Sequence, residues 1–184
     1  RFAECLIPLI DKNEDTAIKI ATDVIDNFQN IYEKKWLNMM RNKLGLFGED
    51  KNDRKLVDDL LNWMEKNKID YTNIFCHLMD IKIDNNTYKD KTFLTWFDEW
   101  KKRSQLNNSS KEKQIELMKK NNPIVVPRNH KVEEALNEAN NGSLEGMNKL
   151  NYILKNPYSN QEDIAEYQVP APITNEKYQT FCGT

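Results

Sequence analysis

Glycine is scarce in this chain, five residues in 184, and so are cysteine (three) and proline (six). Few glycines give little scope for tight turns or close backbone approach to a ligand, and favour long regular elements. Cys5, Cys76 and Cys182 are odd in number and far apart, which is no disulfide framework, and no Cys-x-x-Cys or paired Cys/His spacing suggests zinc. A reducing cytoplasm is the expected location. A dominant charge is also lacking: 27 Lys and Arg face 29 Asp and Glu, so no net field draws the chain to nucleic acid or to a membrane surface. No apolar run approaches the roughly 20 residues that span a bilayer, and no signal peptide is present. The chain opens on Arg1 rather than Met, already in a helical pattern, and reads as part of a longer protein or as a trimmed start.

What is present is helical periodicity. Residues 2 to 10 read as a helix, followed by a polar break from Asp11 to Asp15. Ala17, Ile20, Ala21, Val24, Ile25, Phe28, Ile31, Tyr32, Trp36, Met39 and Met40 then recur at steps of three and four. They form one face of a long amphipathic helix from about 14 to 44, kinked or split near Asn30. Asn13 or Asp15 can cap its start and Gly45 is placed to stop it. Asp53 opens a helix with the stripe Leu56, Val57, Leu60, Leu61 and Met64. Asp70 to Asn73 caps another, carrying Ile74, Phe75, Leu78 and Met79. Residues 81 to 90 are turn-like. Thr92 to Lys102 is a helix with Phe93, Trp96, Phe97 and Trp100 on one side, and 105 to 110 is a loop. Lys111 to Lys120 is a helix, and Pro123 and Pro127 hold 123 to 128 extended with no sheet partner. Val132, Ala135, Leu136 and Ala139, then Leu144, Met147, Leu150, Ile153 and Leu154, make a helical hairpin around Asn141-Gly142. From Asn156 the tail, 156 to 184, is mostly non-helical. The expected fold is one all-α domain over 1 to 184, seven to nine helices around one core.

Few residues suggest chemistry. His77 and His130 are the only histidines. Cys76 and His77 are helix neighbours about 100° apart, which do not face each other as a nucleophile–base dyad must. Arg128-Asn129-His130 precedes a helix start and could hold a phosphate. With no glycine in the turn, the plainer reading is a cap from Asn129 or His130 and an acidic partner for Arg128. Trp63, Phe93, Trp96, Phe97 and Trp100 have the spacing of a core rather than a binding platform. Lys101-Lys102-Arg103 and Lys119-Lys120 read as solvated helix ends. Asp58-Asp59, and Asp80 with Asp84, lack the ligand density of a calcium loop. Cys182, three residues from the end, is an accessible thiol with nothing nearby to lower its pKa.

Several segments, taken in order, carry a resemblance. Trp36 to Leu46 resembles a Met-x-x-Lys-Leu-Gly-Leu helix end, and Asp70 to Phe75 an Asp-Tyr-Thr-x-x-Phe motif. Trp96 to Arg103 resembles a Trp-containing helix with a basic end. Met118 to Leu136 resembles a Met-x-x-x-Asn-Pro segment that runs into Arg-Asn-His, and Asn156-Pro157-Tyr158 with Tyr167 and Pro170 fits an Asn-Pro-Tyr and Tyr-x-x-Pro tail. Together they resemble the C-terminal region of the selenoprotein O family, protein adenylyltransferases on a kinase-like fold. The resemblance implies a parent enzyme that binds ATP and magnesium and transfers AMP to protein hydroxyls. No glycine-rich phosphate loop, Asp-Phe-Gly or His-Arg-Asp occurs here, so no catalytic, cofactor or metal residue carries over. The expected partners are the kinase-like N-terminal portion of the same polypeptide and the parent's protein substrates. The family tail often ends Cys-Ser-Ser; here it is Cys182-Gly183-Thr184, so a redox role for Cys182 is implied by the cysteine and weakened by its neighbours.

Two readings follow. In one, this is a non-catalytic helical region of a protein adenylyltransferase; in the other, a stand-alone helical interaction module. A large exposed apolar patch at the N-terminal end would favour the first, and a polar surface with an aromatic groove elsewhere the second. A small hydrolase using Cys76 or Cys182 has no motif behind it.

Overall fold

A computed structural model describes residues 1–80, 86–106 and 109–172. Nine helices of nine residues or more occur among them: α1 (Phe2–Ile10), α2 (Glu14–Asp26), α3 (Phe28–Lys43), α4 (Asp53–Asn67), α5 (Tyr71–Asp80), α6 (Lys91–Gln105), α7 (Lys111–Asn121), α8 (Asn129–Asn140) and α9 (Glu145–Leu154). A 3-10 turn at Asn86–Lys89 and a single-turn α10 (Ala165–Gln168) complete the set. No strand occurs among the described residues, so the all-α expectation is met.

Local chemistry accounts for the helix ends. The Asn13 side chain accepts from the Thr16 amide at 2.9 Å, Asp70 from Asn73 at 2.9 Å and Asp90 from Phe93 at 3.2 Å, each taking up an amide that helix geometry leaves unpaired. α3 stops in a Schellman turn: the Leu46 amide reaches the Arg41 carbonyl (2.9 Å), the Gly45 amide reaches Asn42 (3.1 Å), and Gly45 takes φ +67°. α8 ends in the same way at Gly142, φ +89°.

The long N-terminal helix divides at Asn27, three residues before the expected position. The interruption is slight. The Asn27 amide still reaches Asp23 (3.2 Å) and its carbonyl still accepts from Ile31 (3.2 Å), so α2 and α3 run on as a nearly continuous helix.

The main core gathers side chains from α3, α4, α5, α6 and α7: Met40, Leu44, Val57, Leu60, Phe75, Phe93, Trp96 and Trp100 among them. Trp63 packs on Phe93 at a centroid distance of 4.6 Å, and Trp96 stacks on Trp100. Each of their indole N–H groups finds an acceptor: Asp90 for Trp63 (2.8 Å), the Leu56 carbonyl for Trp96 (2.8 Å) and the Leu44 carbonyl for Trp100 (2.9 Å). The aromatic stripe is therefore core, as its spacing implies.

The expectation of one core is corrected. A second cluster holds Val125, Ala135, Leu150, Ile153, Ile164 and Tyr167. The prolines at 123 and 127 keep the linking chain, which bends at Ile124, out of helix, and α8 pairs locally with α9 around its own small interior. Ile124 packs against both clusters. Leu136 and Leu144, expected inside the hairpin, lie on its outer side.

Candidate functional site: an uncovered apolar face and two ion-pair clusters

The apolar stripe on α2 and α3 enters the main core at its C-terminal end, where Met40 is buried and Trp36 packs against the cluster, but over α2 and the first turns of α3 it is mostly uncovered among the described residues. Counting a 100° step per residue from 17 to 32, Ala17, Ile18, Ile20, Ala21, Val24, Ile25, Phe28, Ile31 and Tyr32 fall within an arc of roughly 160°. Lys19, Thr22, Asp23, Asp26, Asn27, Gln29 and Asn30 fill the rest of the wheel. Such complete segregation is the pattern of a helix packed along its length. Yet only Ala17 is buried, where α1 packs on α2, while Val24 (63 % exposed), Ile25 (57 %), Phe28 (65 %) and Tyr32 (56 %) face outward. Phe2 and Leu9 of α1 are exposed too. Beyond Ala17, most of this part of the stripe is left exposed by the described residues, an apolar patch near the N-terminal end of the chain. Contiguous apolar surface of this kind marks an interaction site.

The first ion-pair cluster centres on Asp53, which is fully buried at the start of α4. Its carboxylate accepts from Arg41 Nε of α3 (2.6 Å), from Arg103 Nε of α6 (2.6 Å) and from the Asp50 amide (2.9 Å). Arg103 also donates to the carbonyls of Phe47 and Gly48, both at 3.3 Å. Burial pushes the Asp53 carboxyl up, but the two guanidinium groups and the amide outweigh it and hold it below its ordinary value. Asp53 thus ties α3, α4, α6 and the 44–53 loop together. The reading of Lys101-Lys102-Arg103 as a wholly solvated end is corrected at Arg103, which is buried. The signal was in the register, since Arg103 lies on the face of Trp96 and Trp100, seven and three residues back. A groove of about 410 Å³ opens beside this cluster, lined by Asp50, Glu99, Lys55 and Lys102 among others. Those four charges balance, so it favours no one sign of ligand.

The second cluster settles Arg128. Its guanidinium grips Asp70 with two hydrogen bonds (2.8 and 2.9 Å), and also donates to Asn73 Oδ1 (3.1 Å) and to the Tyr167 carbonyl (3.2 Å). The acidic partner is as expected. The cap is not: neither Asn129 nor His130 makes a side-chain cap, because both already lie inside the first turn of α8. A guanidinium so engaged is not available to a phosphate. Burial pushes the Asp70 carboxyl up; Arg128 and the Asn73 and Thr72 amides bring it below its usual value.

Cys76 and His77 turn to different partners. Cys76 Sγ lies 3.7 Å from the Pro123 carbonyl, and His77 Nδ1 pairs with the Tyr88 hydroxyl. Burial, then the Asp70 and Cys76 charges, push the Tyr88 phenol up to about 12, so it stays protonated over the neutral range. Asp58 and Asp59 pair with Arg54 (2.8 Å) and Lys55 (2.5 Å) on the surface of α4. Among the described residues no group of three or more His, Cys, Asp or Glu could hold a metal ion, and no helix is long and apolar enough to cross a membrane. Asp84, the Asp80 side chain and Cys182 lie outside the described residues.

Comparison with known proteins matches residues 1–155 to the family model described as protein adenylyltransferase SelO. The protein nucleotidyltransferase YdiU of Pelagibacter ubique (strain HTCC1062) is 55 % identical over 185 residues, taking in all of this chain and 38 % of its own length. The proteins of the same name from Bacillus cereus (strain AH820) and Bacillus thuringiensis (strain Al Hakam) are each 45 % identical over 186 residues, again across 38 % of their length. The chain therefore spans little more than a third of these relatives.

Proposed function

The chain belongs to the SelO protein adenylyltransferase family, and from that premise we propose that it is a non-catalytic helical region of an enzyme that moves AMP from ATP to protein serine, threonine or tyrosine hydroxyls. In that reaction the hydroxyl oxygen bonds to the α-phosphorus and pyrophosphate leaves. Catalysis of this kind is mainly positioning and charge neutralisation around the phosphates. ATP and magnesium would be held by a kinase-like portion lying in the part of the relatives that this chain does not span.

The observation that carries this reading is the uncovered face of α2 and α3. Burying a side chain such as Phe28 or Ile25 is worth roughly 1.5–3 kcal/mol, so a face carrying several of them is suited to permanent cover. We assign that cover to the kinase-like portion of the same polypeptide. The chain's role is then to buttress that portion and to take part in docking the protein substrate. A stand-alone module would call for a polar surface where this face lies. Cys182 is the thiol available for redox control in the same reading. Equal labelling of it by a thiol reagent in oxidised and reduced intact protein would remove that role.

The test is calorimetric titration of ATP with magnesium into this chain and into the full-length protein. Binding by the longer protein alone is expected. Tight magnesium-dependent binding by the 184 residues themselves would overturn the assignment.

A further inference from the structure

The two hydrophobic clusters meet across a seam that carries several hydrogen bonds among the described residues. On one side stands the body, α3 to α7; on the other, α8 to α10 with its own interior. Ile124 is the apolar side chain packed against both. Hydrogen bonds add further ties among the described residues. Arg128 holds Asp70 (2.8 and 2.9 Å) and Asn73 (3.1 Å) of the body while also bonding the Tyr167 carbonyl of the module. Asn73 Nδ2 donates to the Gln168 carbonyl (3.0 Å), and Gln168 Nε2 donates to the Ile124 carbonyl (2.9 Å). The Ile124 amide donates to the Pro157 carbonyl (2.8 Å).

The module is tied internally without help from the body. Lys149 of α9 pairs with Glu166 of α10 (2.9 Å). Gln161 Nε2 donates to the carbonyls of Ile153 (3.0 Å) and Asn156 (2.8 Å). The Gly146 amide of α9 donates to Glu138 of α8 (3.0 Å). The connection between the two units, 122 to 128, has neither helix nor strand and bends at Ile124, and Pro123 and Pro127 restrict the backbone on either side of that bend.

We propose that α8–α10 is a rigid module seated on the helical body by the Arg128–Asp70 latch, and that opening this latch lets the module swing without unfolding. Apolar packing is short-ranged and area-dependent, so a broad apolar interface would hold the units together over its whole extent. Here the guanidinium fork supplies the charge-assisted, bidentate part of the seam, a directional contact that is lost as a unit when its geometry is broken. The module's seat also sets where the chain beyond Gln168 departs.

Hydroxyl-radical footprinting on the intact protein tests this, with Arg128→Lys and Asp70→Asn as variants. Arg128→Lys keeps the charge and removes the fork, and it leaves the Asp70 cap of α5 untouched. Oxidation of the Ile124 side chain, which packs against both clusters, is expected to rise several-fold in both variants as the body moves away from it. Leu150, Ile153 and Tyr167 inside the module should stay protected, and hydrogen exchange of the Ile124 and Val125 amides, which bond the Pro157 carbonyl of the module, should stay slow. Unchanged oxidation of Ile124 would overturn the latch. Loss of protection inside the module in step with Ile124 would overturn the rigid swing, because the module would then be melting.

Discussion

At Asp53 one buried carboxylate answers two guanidinium groups and a backbone amide. Removing it would strand Arg41 and Arg103 in the interior, and a buried charge stripped of its partner is costly. Asp53→Ala is therefore expected to lose about 3–5 kcal/mol, read from the urea midpoint. Asp58→Ala is the contrast: it breaks only the exposed pair with Arg54 and should fall within about 0.5 kcal/mol of wild type. The two aspartates are of one type on one helix, so the difference isolates burial. The same physics gives a pH dependence. Asp53 and Asp70 titrate lower when folded than their ordinary value. Their contribution is thus present above the unfolded pKa of about 3.9 and is lost as pH falls through the lower folded values. Stability of the wild type should decline below about pH 4, and Asp70→Asn should flatten that decline while lowering the plateau above it. A decline just as steep in the variant would mean that Asp70 is not among the groups responsible.

Two glycines separate what a turn demands from what packing demands. Gly45 and Gly48 have nearly the same positive φ, +67° and +69°. A Cβ at Gly45 would lie 2.5 Å from Gln114 Cγ and 2.9 Å from Met118 Cγ on α7, whereas at Gly48 it would meet nothing within 4 Å. Gly48→Ala pays only the left-handed backbone, about 1 kcal/mol. Gly45→Ala pays that and also pushes α7 from α3, so a loss of about 2–4 kcal/mol is expected in thermal unfolding. The helix stop at Gly45 is legible in the sequence, as are the caps at Asn13 and Asp70 and the stripe from Phe93 to Trp100, because each is a local pattern. The second demand on Gly45 is not, since it comes from α7, some seventy residues on. Arg103 shows the same limit. Its register with Trp96 and Trp100 is visible, but the adjacent lysines make it read as a solvated end until Asp53, fifty residues away, supplies the partner. Arg128 is half legible: the need for an acid can be read, while the choice of Asp70 depends on the fold.

The α2–α3 face shows where sequence reading stops at the scale of the molecule. Periodicity reports that a side is apolar and says nothing of what lies against it, so the same stripe serves a covered helix and an uncovered one. The distinction can be measured. Val24→Glu with Phe28→Glu places two carboxylates in the middle of the face. In this chain by itself both positions are already exposed, so the urea midpoint should hardly move, and any self-association through the face should weaken. In the full-length protein the same pair would be driven against an apolar partner surface without counter-ions. There it should cost at least about 3 kcal/mol in stability, or leave the two parts undocked and the linker between them open to protease. A double variant that is silent in both forms would mean that the face stays wet in the whole protein. Equal damage in both forms would mean that the face is covered from within this chain. Only damage confined to the longer protein fits a face whose cover lies outside these 184 residues.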